Sequence, residues 1–100
     1  MEMLTINNGR VEIRDEHGYI RRRFGDGDAV FADFNSNQTL IAVTNKKGKI
    51  SIYDRDGFRR RTFENVDAVS ARWSGKEIHV QLRNGKVEIR DEYGFRRATC

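Results

Sequence analysis

Residues 8–18 read Asn8-Gly9-Arg10-Val11-Glu12-Ile13-Arg14-Asp15-Glu16-His17-Gly18, and residues 84–94 return as Asn84-Gly85-Lys86-Val87-Glu88-Ile89-Arg90-Asp91-Glu92-Tyr93-Gly94. A third version lies between them at residues 47–57, as Lys47-Gly48-Lys49-Ile50-Ser51-Ile52-Tyr53-Asp54-Arg55-Asp56-Gly57. The copies are spaced 39 and then 37 residues apart. A period of this size predicts one supersecondary unit copied along the chain.

Apolar and polar residues alternate inside each copy, most clearly in Val11-Glu12-Ile13-Arg14 and Val87-Glu88-Ile89-Arg90. This period of two is typical of a β-strand with one buried face. Each copy continues into a four-residue stretch with Asp first and Gly fourth, which favours a type I turn and a glycine at positive φ. The returning strand then starts on an aromatic residue, which is Tyr19, Phe58 or Phe95.

Turn signals before each copy, such as Asn7-Asn8-Gly9 and Asn84-Gly85, predict a further strand upstream, over residues 2–7, 39–45 and 77–83. Inner strands are indicated by Val30, Ala32 and Phe34 and by Val69, Ala71 and Trp73, which occupy alternate positions. Eleven short strands result, three in the first unit and four in each of the next two. We therefore predict an all-β fold of antiparallel four-stranded meanders, forming a single repeat domain over residues 1–100 with units at about 1–27, 28–66 and 67–100.

Composition sets the limits of this fold. A chain of 100 residues without proline and with 37% hydrophobic content fits one small domain with a thin core. No apolar run approaches the roughly 20 residues of a spanning helix, and no leader opens the chain, so we expect a soluble, cytoplasmic protein with no membrane association. The single cysteine, Cys100, excludes an intramolecular disulfide and fits a reducing compartment.

Residues 30–43 together with 48–54 resemble a blade of the WD-repeat and related β-propeller families. Tyr53-Asp54 stands where that family ends its third strand with Trp-Asp. The other copies carry Arg14-Asp15 and Arg90-Asp91 there, and no Gly-His pair opens a unit, so the resemblance is to propeller-like repeats in general. Such repeats imply a rigid interaction platform.

The number of units leaves the closure of the fold open. Propellers typically close with four to eight blades, whereas the first unit here lacks its opening strand. Two chains would supply a six-bladed ring, and a bare sheet edge invites this self-association, so a homo-oligomer, a dimer first, is expected. One alternative is a monomer with three sheets around a pseudo-threefold axis, and another is a fragment of a longer propeller.

Arginine clusters fall in the predicted fourth strand of every unit, as Arg21, Arg22 and Arg23, as Arg59, Arg60 and Arg61, and as Arg96 and Arg97. Charge on an outer strand protects a sheet edge, and acidic residues on the neighbouring strand neutralise it. Arginine beside aromatic residues is also the chemistry that binds RNA or DNA. Both interpretations stay open, as the net charge of +4 is mild.

The loops at one end of the units form a second candidate surface. They place the basic pair Lys46-Lys47 beside the acidic stretches 25–28 and 64–67. Mixed charge of this kind suits a protein partner or a sugar.

Catalytic chemistry finds little support in the sequence. The two histidines, His17 and His79, are isolated, and no Gly-x-Ser-x-Gly elbow, zinc ligand set or EF-hand loop occurs. We expect no enzyme activity, cofactor or metal. The leading hypothesis is a binding or scaffold module for protein interaction and self-association. The alternatives are a nucleic-acid-binding module that uses the arginine-rich outer strands, or a repeat lectin that uses Trp73 and Phe34.

Overall fold

The computed structural model describes residues 2–63 and 66–99, and within these ranges the regular structure is antiparallel β-sheet. The cysteine and the first half of the predicted acidic stretch 64–67 lie outside the described residues. The described residues include no helix with the length and apolarity that a bilayer crossing requires. The strands are β1 Met3–Asn7, β2 Arg10–Arg14, β3 Ile20–Phe24, β4 Ala29–Phe34, β5 Leu40–Asn45, β6 Ile50–Asp54, β7 Arg59–Phe63, β8 Ala68–Ser74, β9 Glu77–Leu82, β10 Val87–Asp91 and β11 Arg96–Thr99.

These strands form three separate meander sheets. The first sheet has the order β1-β2-β3, the second β4-β5-β6-β7 and the third β8-β9-β10-β11. The all-β fold and the three-plus-four-plus-four strand pattern are therefore confirmed. Because every neighbouring pair is antiparallel and joined by a short turn, each sheet is one continuous stretch of chain.

The hairpin turns have the predicted chemistry. Asp15 accepts the backbone N–H of Gly18 on its carbonyl oxygen at 3.0 Å, and its Oδ1 accepts the N–H groups of His17 and Tyr19 at 2.9 and 3.0 Å. Gly18 has φ +86°, a conformation that costs glycine little. Asp54 and Asp91 make the same bonds in the other sheets. A bulge then follows in each returning strand, at Arg21, Arg60 and Arg97.

The sheets stack in sequence as an arc. One apolar cluster joins the first sheet to the second and contains Val11, Ile13 and Ile41, while the other joins the second sheet to the third and contains Ile52 and Ile78. No cluster among residues 2–63 and 66–99 joins the first sheet to the third. This arrangement is one of successive blades, and the pseudo-threefold body is not the one adopted.

Each sheet has two distinct faces because side chains alternate along a strand. We call the face that carries Val11 and Ile13, and the equivalent residues of the other copies, the front face. The back face carries Glu12 and Arg14 and their equivalents. The front face of the first sheet packs on the back face of the second, and the front face of the second packs on the back face of the third.

The inner strands differ from the expected alternation. A register shift after Ala29 and after Ala68 leaves Val30 and Val69 as the extra residues, and both are exposed. Ala71 is buried as the alternation predicts and Ala32 is partly buried, while Ala29 and Ala68, the residues before the bulges, are buried as well. Phe34 and Trp73 pack at the margins of the two apolar clusters, as a simple strand pattern indicates.

Candidate interaction surface

Alternate connections of a meander lie at opposite ends of its sheet. The β2–β3, β6–β7 and β10–β11 turns lie at one end of the sheets, which we call the turn end. The β1–β2, β5–β6 and β9–β10 turns and the segments between sheets lie at the other, which we call the link end. Each end of the sheets therefore offers a surface built from repeated loops.

Exposed aromatic residues recur at the turn end. Tyr19, Phe58 and Phe95 hold the same position after their turns and are 71%, 69% and 71% exposed. The aspartate Oδ1 of each turn accepts a hydrogen bond from the backbone N–H of the aromatic residue, and the strand begins one residue later. The turn thus fixes the backbone of each aromatic residue while its ring is left in water.

A cleft of about 380 Å³ opens between the second and third sheets at this end. Leu40 and Ile52 form its apolar floor, and Tyr93 and Arg61 stand at its rim. The guanidinium carbon of Arg61 lies 4.8 Å from the centre of the Tyr93 ring. Such a cation–π contact holds both side chains in place. Asp54 and Glu92 also line the cleft, so its rim is aromatic and mixed in charge.

Charged groups surround this cleft. Arg60 donates from Nε to Oδ2 of Asp54 at 3.0 Å. Burial opposes the ionisation of Asp54, but the N–H groups of Phe58 and Asp56 and the Arg60 guanidinium outweigh it and hold the pKa of this carboxyl below its ordinary value of 3.8. Asp54 is therefore ionised at neutral pH and keeps Arg60 beside the cleft.

The predicted arginine clusters serve largely as contacts within and between sheets. Nη2 of Arg22, in the first sheet, lies 3.9 Å from Oδ1 of Asp56 in the turn of the second sheet. The equivalent residue of the second sheet, Arg61, lies over the ring of Tyr93 in the turn of the third sheet. Arg23 donates to Glu12 across its own hairpin at 3.0 Å. Nη1 of Arg59 lies 3.6 Å from Oδ2 of Asp26. The positive charge of Arg21 also interacts favourably with the carboxylate of Asp15.

The structure separates the remaining predicted residues from the cleft. Lys46 and Lys47 lie in the β5–β6 turn at the link end, where both are exposed. A second cleft of about 260 Å³ opens at this end, with Asp26, Lys49 and Tyr53 among its lining residues. Burial and the neighbouring Asp26 carboxylate raise the pKa of Tyr53. This cleft is mixed in charge, as the sequence predicts for these loops.

Among the described residues, neither aromatic residue of the lectin hypothesis lines the turn-end or the link-end cleft. Phe34 packs on the core between the first and second sheets, and Trp73 packs on the core between the second and third. The aromatic residues of the turns, Tyr19, Phe58 and Phe95, are more exposed than Phe34 and Trp73, which are only partly exposed.

Two charged pairs were not recognised as a unit from the sequence. Glu88 and Arg90 are buried on the back face of the third sheet, and Glu12 and Arg14 occupy the same positions in the first. Their signal was the identical Val-Glu-Ile-Arg stretch, which the middle copy replaces with Ile-Ser-Ile-Tyr. No group of three or more His, Cys, Asp and Glu side chains within residues 2–63 and 66–99 is arranged to hold a metal ion.

No protein-family profile matches the chain, and no curated protein matches it in sequence. The chain has the β-propeller blade fold, as solved structures show. The crystal structure of BamB from Moraxella catarrhalis matches 99% of this chain and 32% of that one, with a TM-score of 0.81 and 18% identity. The crystal structure of Sqt1 from Saccharomyces cerevisiae matches 99% of this chain and 30% of that one, with a TM-score of 0.77 and 19% identity. The chain thus spans about a third of the length of each of these proteins.

Proposed function

We propose that this chain is a non-enzymatic protein-binding module that uses its turn end. The observation that carries the proposal is the recurrence of an exposed aromatic residue, Tyr19, Phe58 or Phe95, in the same turn of all three sheets. Exposed aromatic side chains are unfavourable in water, and aromatic residues and arginine are enriched among the residues that dominate protein interfaces.

The cleft at the turn end defines the chemistry of the partner. Its floor of Leu40 and Ile52 suits an apolar side chain, and its rim, which carries Arg61 and Glu92, suits polar or charged groups. We therefore infer a partner that presents an apolar side chain flanked by polar or charged side chains. Because the backbone of the turns is held by hydrogen bonds, binding requires little ordering of the surface.

The pairing of the arginines favours a protein over a nucleic acid. Phosphate binding requires cationic groups that are available to replace counterions. Arg23, Arg59 and Arg60 instead lie within 4 Å of carboxylates of the chain itself. Self-association belongs to the same proposal, because within residues 2–63 and 66–99 the first and third sheets each leave one face without a neighbouring sheet.

The test is affinity capture from a lysate of the source cells, treated with nuclease, followed by binding measurements with each purified candidate. Three immobilised chains are compared: the wild type, the triple variant Tyr19→Ser, Phe58→Ser, Phe95→Ser, and the link-end variant Lys46→Ser, Lys47→Ser. We expect one or more proteins that bind the wild type and the link-end variant with the same affinity. The triple variant should bind them at least about 30-fold more weakly, as for loss of a dominant interface residue.

Two outcomes contradict the proposal. One is that no protein binds the wild type, or that the triple variant retains the same proteins with unchanged affinity. The other is binding of labelled RNA whose affinity falls steeply with salt and survives the triple substitution, which would favour the arginine-rich strands as a nucleic-acid site.

A further inference from the structure

The first and third sheets carry the same glutamate–arginine pair in the same geometry. Arg90 donates from Nε to Glu88 at 2.9 Å and from Nη1 to the carbonyl oxygen of Gly94 at 2.8 Å. Arg14 donates from Nη2 to Glu12 at 2.9 Å and from Nη1 to the carbonyl oxygen of Gly18 at 2.7 Å. Both arginines thus lie across the back face of their sheet, tied to the glutamate two residues earlier and to the turn glycine four residues later.

The two pairs differ in what covers them. Phe63, on the front face of the second sheet, lies with its ring centre 5.6 Å from the Arg90 guanidinium carbon. The Arg90 side chain is 11% exposed, whereas that of Arg14 is 30% exposed. The contact recurs one sheet earlier, where Phe24 packs on Tyr53, the residue equivalent to Arg90, with ring centres 4.7 Å apart. A front face therefore covers this position in both sheet-to-sheet contacts of the chain.

An apolar residue on the same back face is also uncovered. Met3 lies opposite Arg14 in the first sheet, as Ile41 lies opposite Tyr53 in the second and Ile78 lies opposite Arg90 in the third. Ile41 and Ile78 are fully buried, whereas Met3 is 51% exposed. The back face of the first sheet thus leaves Met3 without a covering sheet, whereas Glu12 on the same face is fully buried by its bonds to Thr5, Arg14 and Arg23.

The complementary surface is the front face of the third sheet. Val87 and Ile89 stand where the first sheet has Val11 and Ile13 and the second has Ile50 and Ile52. The four residues of the first two sheets are buried, while Val87 and Ile89 are partly exposed. One end of the arc therefore presents an open front face, and the other end presents an open back face.

We propose that the front face of the third sheet, around Val87 and Ile89, packs on the back face of the first sheet of a second copy, around Met3 and Arg14. The contact continues the stacking seen twice within the chain, with Met3 and Arg14 in the places of Ile41 and Tyr53, although the first sheet has no strand that corresponds to β4 and β8. Because this contact is head-to-tail, successive copies close into a ring if the rotation from one copy to the next allows it. Otherwise they form an open chain of copies. This inference rests on the self-association part of the proposed function and is independent of the turn-end cleft.

The test measures molar mass by sedimentation equilibrium over a range of concentrations. Ile89→Asp disables the front face and Met3→Asp disables the back face; both sites are at least partly exposed, and far-ultraviolet circular dichroism with thermal unfolding checks that each variant is folded. Val87→Lys is a second front-face variant. The matched control is Val30→Asp, because Val30 is an exposed apolar residue of the second sheet that lies on neither open face.

We expect the wild type and Val30→Asp to associate with equal affinity, and each face variant to dissociate at least about 30-fold more readily. An equimolar mixture of Ile89→Asp and Met3→Asp should form a one-to-one dimer, because each variant keeps the face that the other lacks. A wild type that associates while the folded face variants do so equally well overturns this contact but leaves self-association in place. A wild type that stays monomeric into the millimolar range overturns both.

Discussion

Ala68 donates its backbone N–H to the carbonyl oxygen of Gly48 at 2.9 Å, and so ties the start of the third sheet to a turn of the second. The equivalent bond, from Ala29 to Gly9 at 2.9 Å, ties the second sheet to the first. These bonds connect successive sheets, between which the described strands make no pairing. The glycine in each turn is the residue that allows the close approach.

Gly48→Ala should therefore destabilise the fold strongly. A Cβ at this position would lie 2.7 Å from Oδ1 of Asp67 and 2.9 Å from the backbone nitrogen of Ala68, at φ +82°. We expect a loss of about 3 kcal/mol or more in the free energy of unfolding, measured with urea, since positive-φ strain and displacement of the third sheet act together.

Gly85→Ala is the matched control for this substitution. Gly85 lies in the equivalent turn of the third sheet, at φ +92°, and a Cβ there would meet nothing within 4 Å. Its cost should be the conformational strain alone, about 1–2 kcal/mol. Equal losses for the two variants would show that the contact between sheets contributes nothing at Gly48.

The turn aspartates should make stability depend on pH. The pKa of Asp54 lies below its ordinary value of 3.8 in the folded protein, so the ionised carboxylate stabilises the fold above that pH, and this contribution is lost as the pH falls through the folded value. Asp54→Asn should reduce the loss of stability in acid while preserving the turn. Asn45 provides the precedent, because its Oδ1 accepts the N–H groups of Lys47 and Lys49 at 2.9 and 3.0 Å.

The measurement is urea unfolding of both chains at a series of pH values from neutral to acidic. Asp54→Ala is the control, since it removes the acceptor of both backbone bonds and should destabilise the protein at every pH. If Asp54→Asn unfolded with the same acid dependence as the wild type, the carboxylate would not be linked to folding.

Thr44→Val should stabilise the protein. Thr44 is fully buried, and its hydroxyl oxygen has no hydrogen-bond partner among the described residues. Replacing a buried, unpaired hydroxyl with a methyl group removes its desolvation cost, so a gain of about 1 kcal/mol in unfolding free energy is expected. Thr62→Val, at an exposed position of β7, should change it by less than about 0.5 kcal/mol. A loss of stability in Thr44→Val would indicate that the hydroxyl makes a bond.

The local signals in the sequence were sufficient for the strands and turns. Asp15 and Gly18 specify their turn through side-chain acceptors and a positive φ, both of which depend only on neighbouring residues. The exposure of Val30 was not predictable in this way. It follows from a bulge opposite β5, and the alternation of Val30, Ala32 and Phe34 fits a regular strand equally well.

The candidate site was predictable only in part. The arginine clusters were visible, and Arg60 and Arg61 do lie at the cleft. Their position beside Tyr93 depends on how the third sheet stacks on the second, which one sequence does not specify. Arg14 and Arg90 are a clearer case. Both lie on the back face of their sheet, but another sheet covers only the back face that carries Arg90, so the Arg14 side chain is more exposed.

Phe63→Ala and Phe58→Ala should separate the two uses of aromatic residues in this chain. Phe63 is 3% exposed and packs against the turn glycine Gly94 of the next sheet, whereas Phe58 is 69% exposed in its turn. Truncating the buried ring removes apolar burial and leaves a cavity between the second and third sheets, so Phe63→Ala should lower the free energy of unfolding by about 3–5 kcal/mol. Phe58→Ala should change it by less than about 0.5 kcal/mol. Urea unfolding of the two variants side by side tests this, and a large loss in Phe58→Ala would mean that the exposed ring supports the fold and is not held free for a partner.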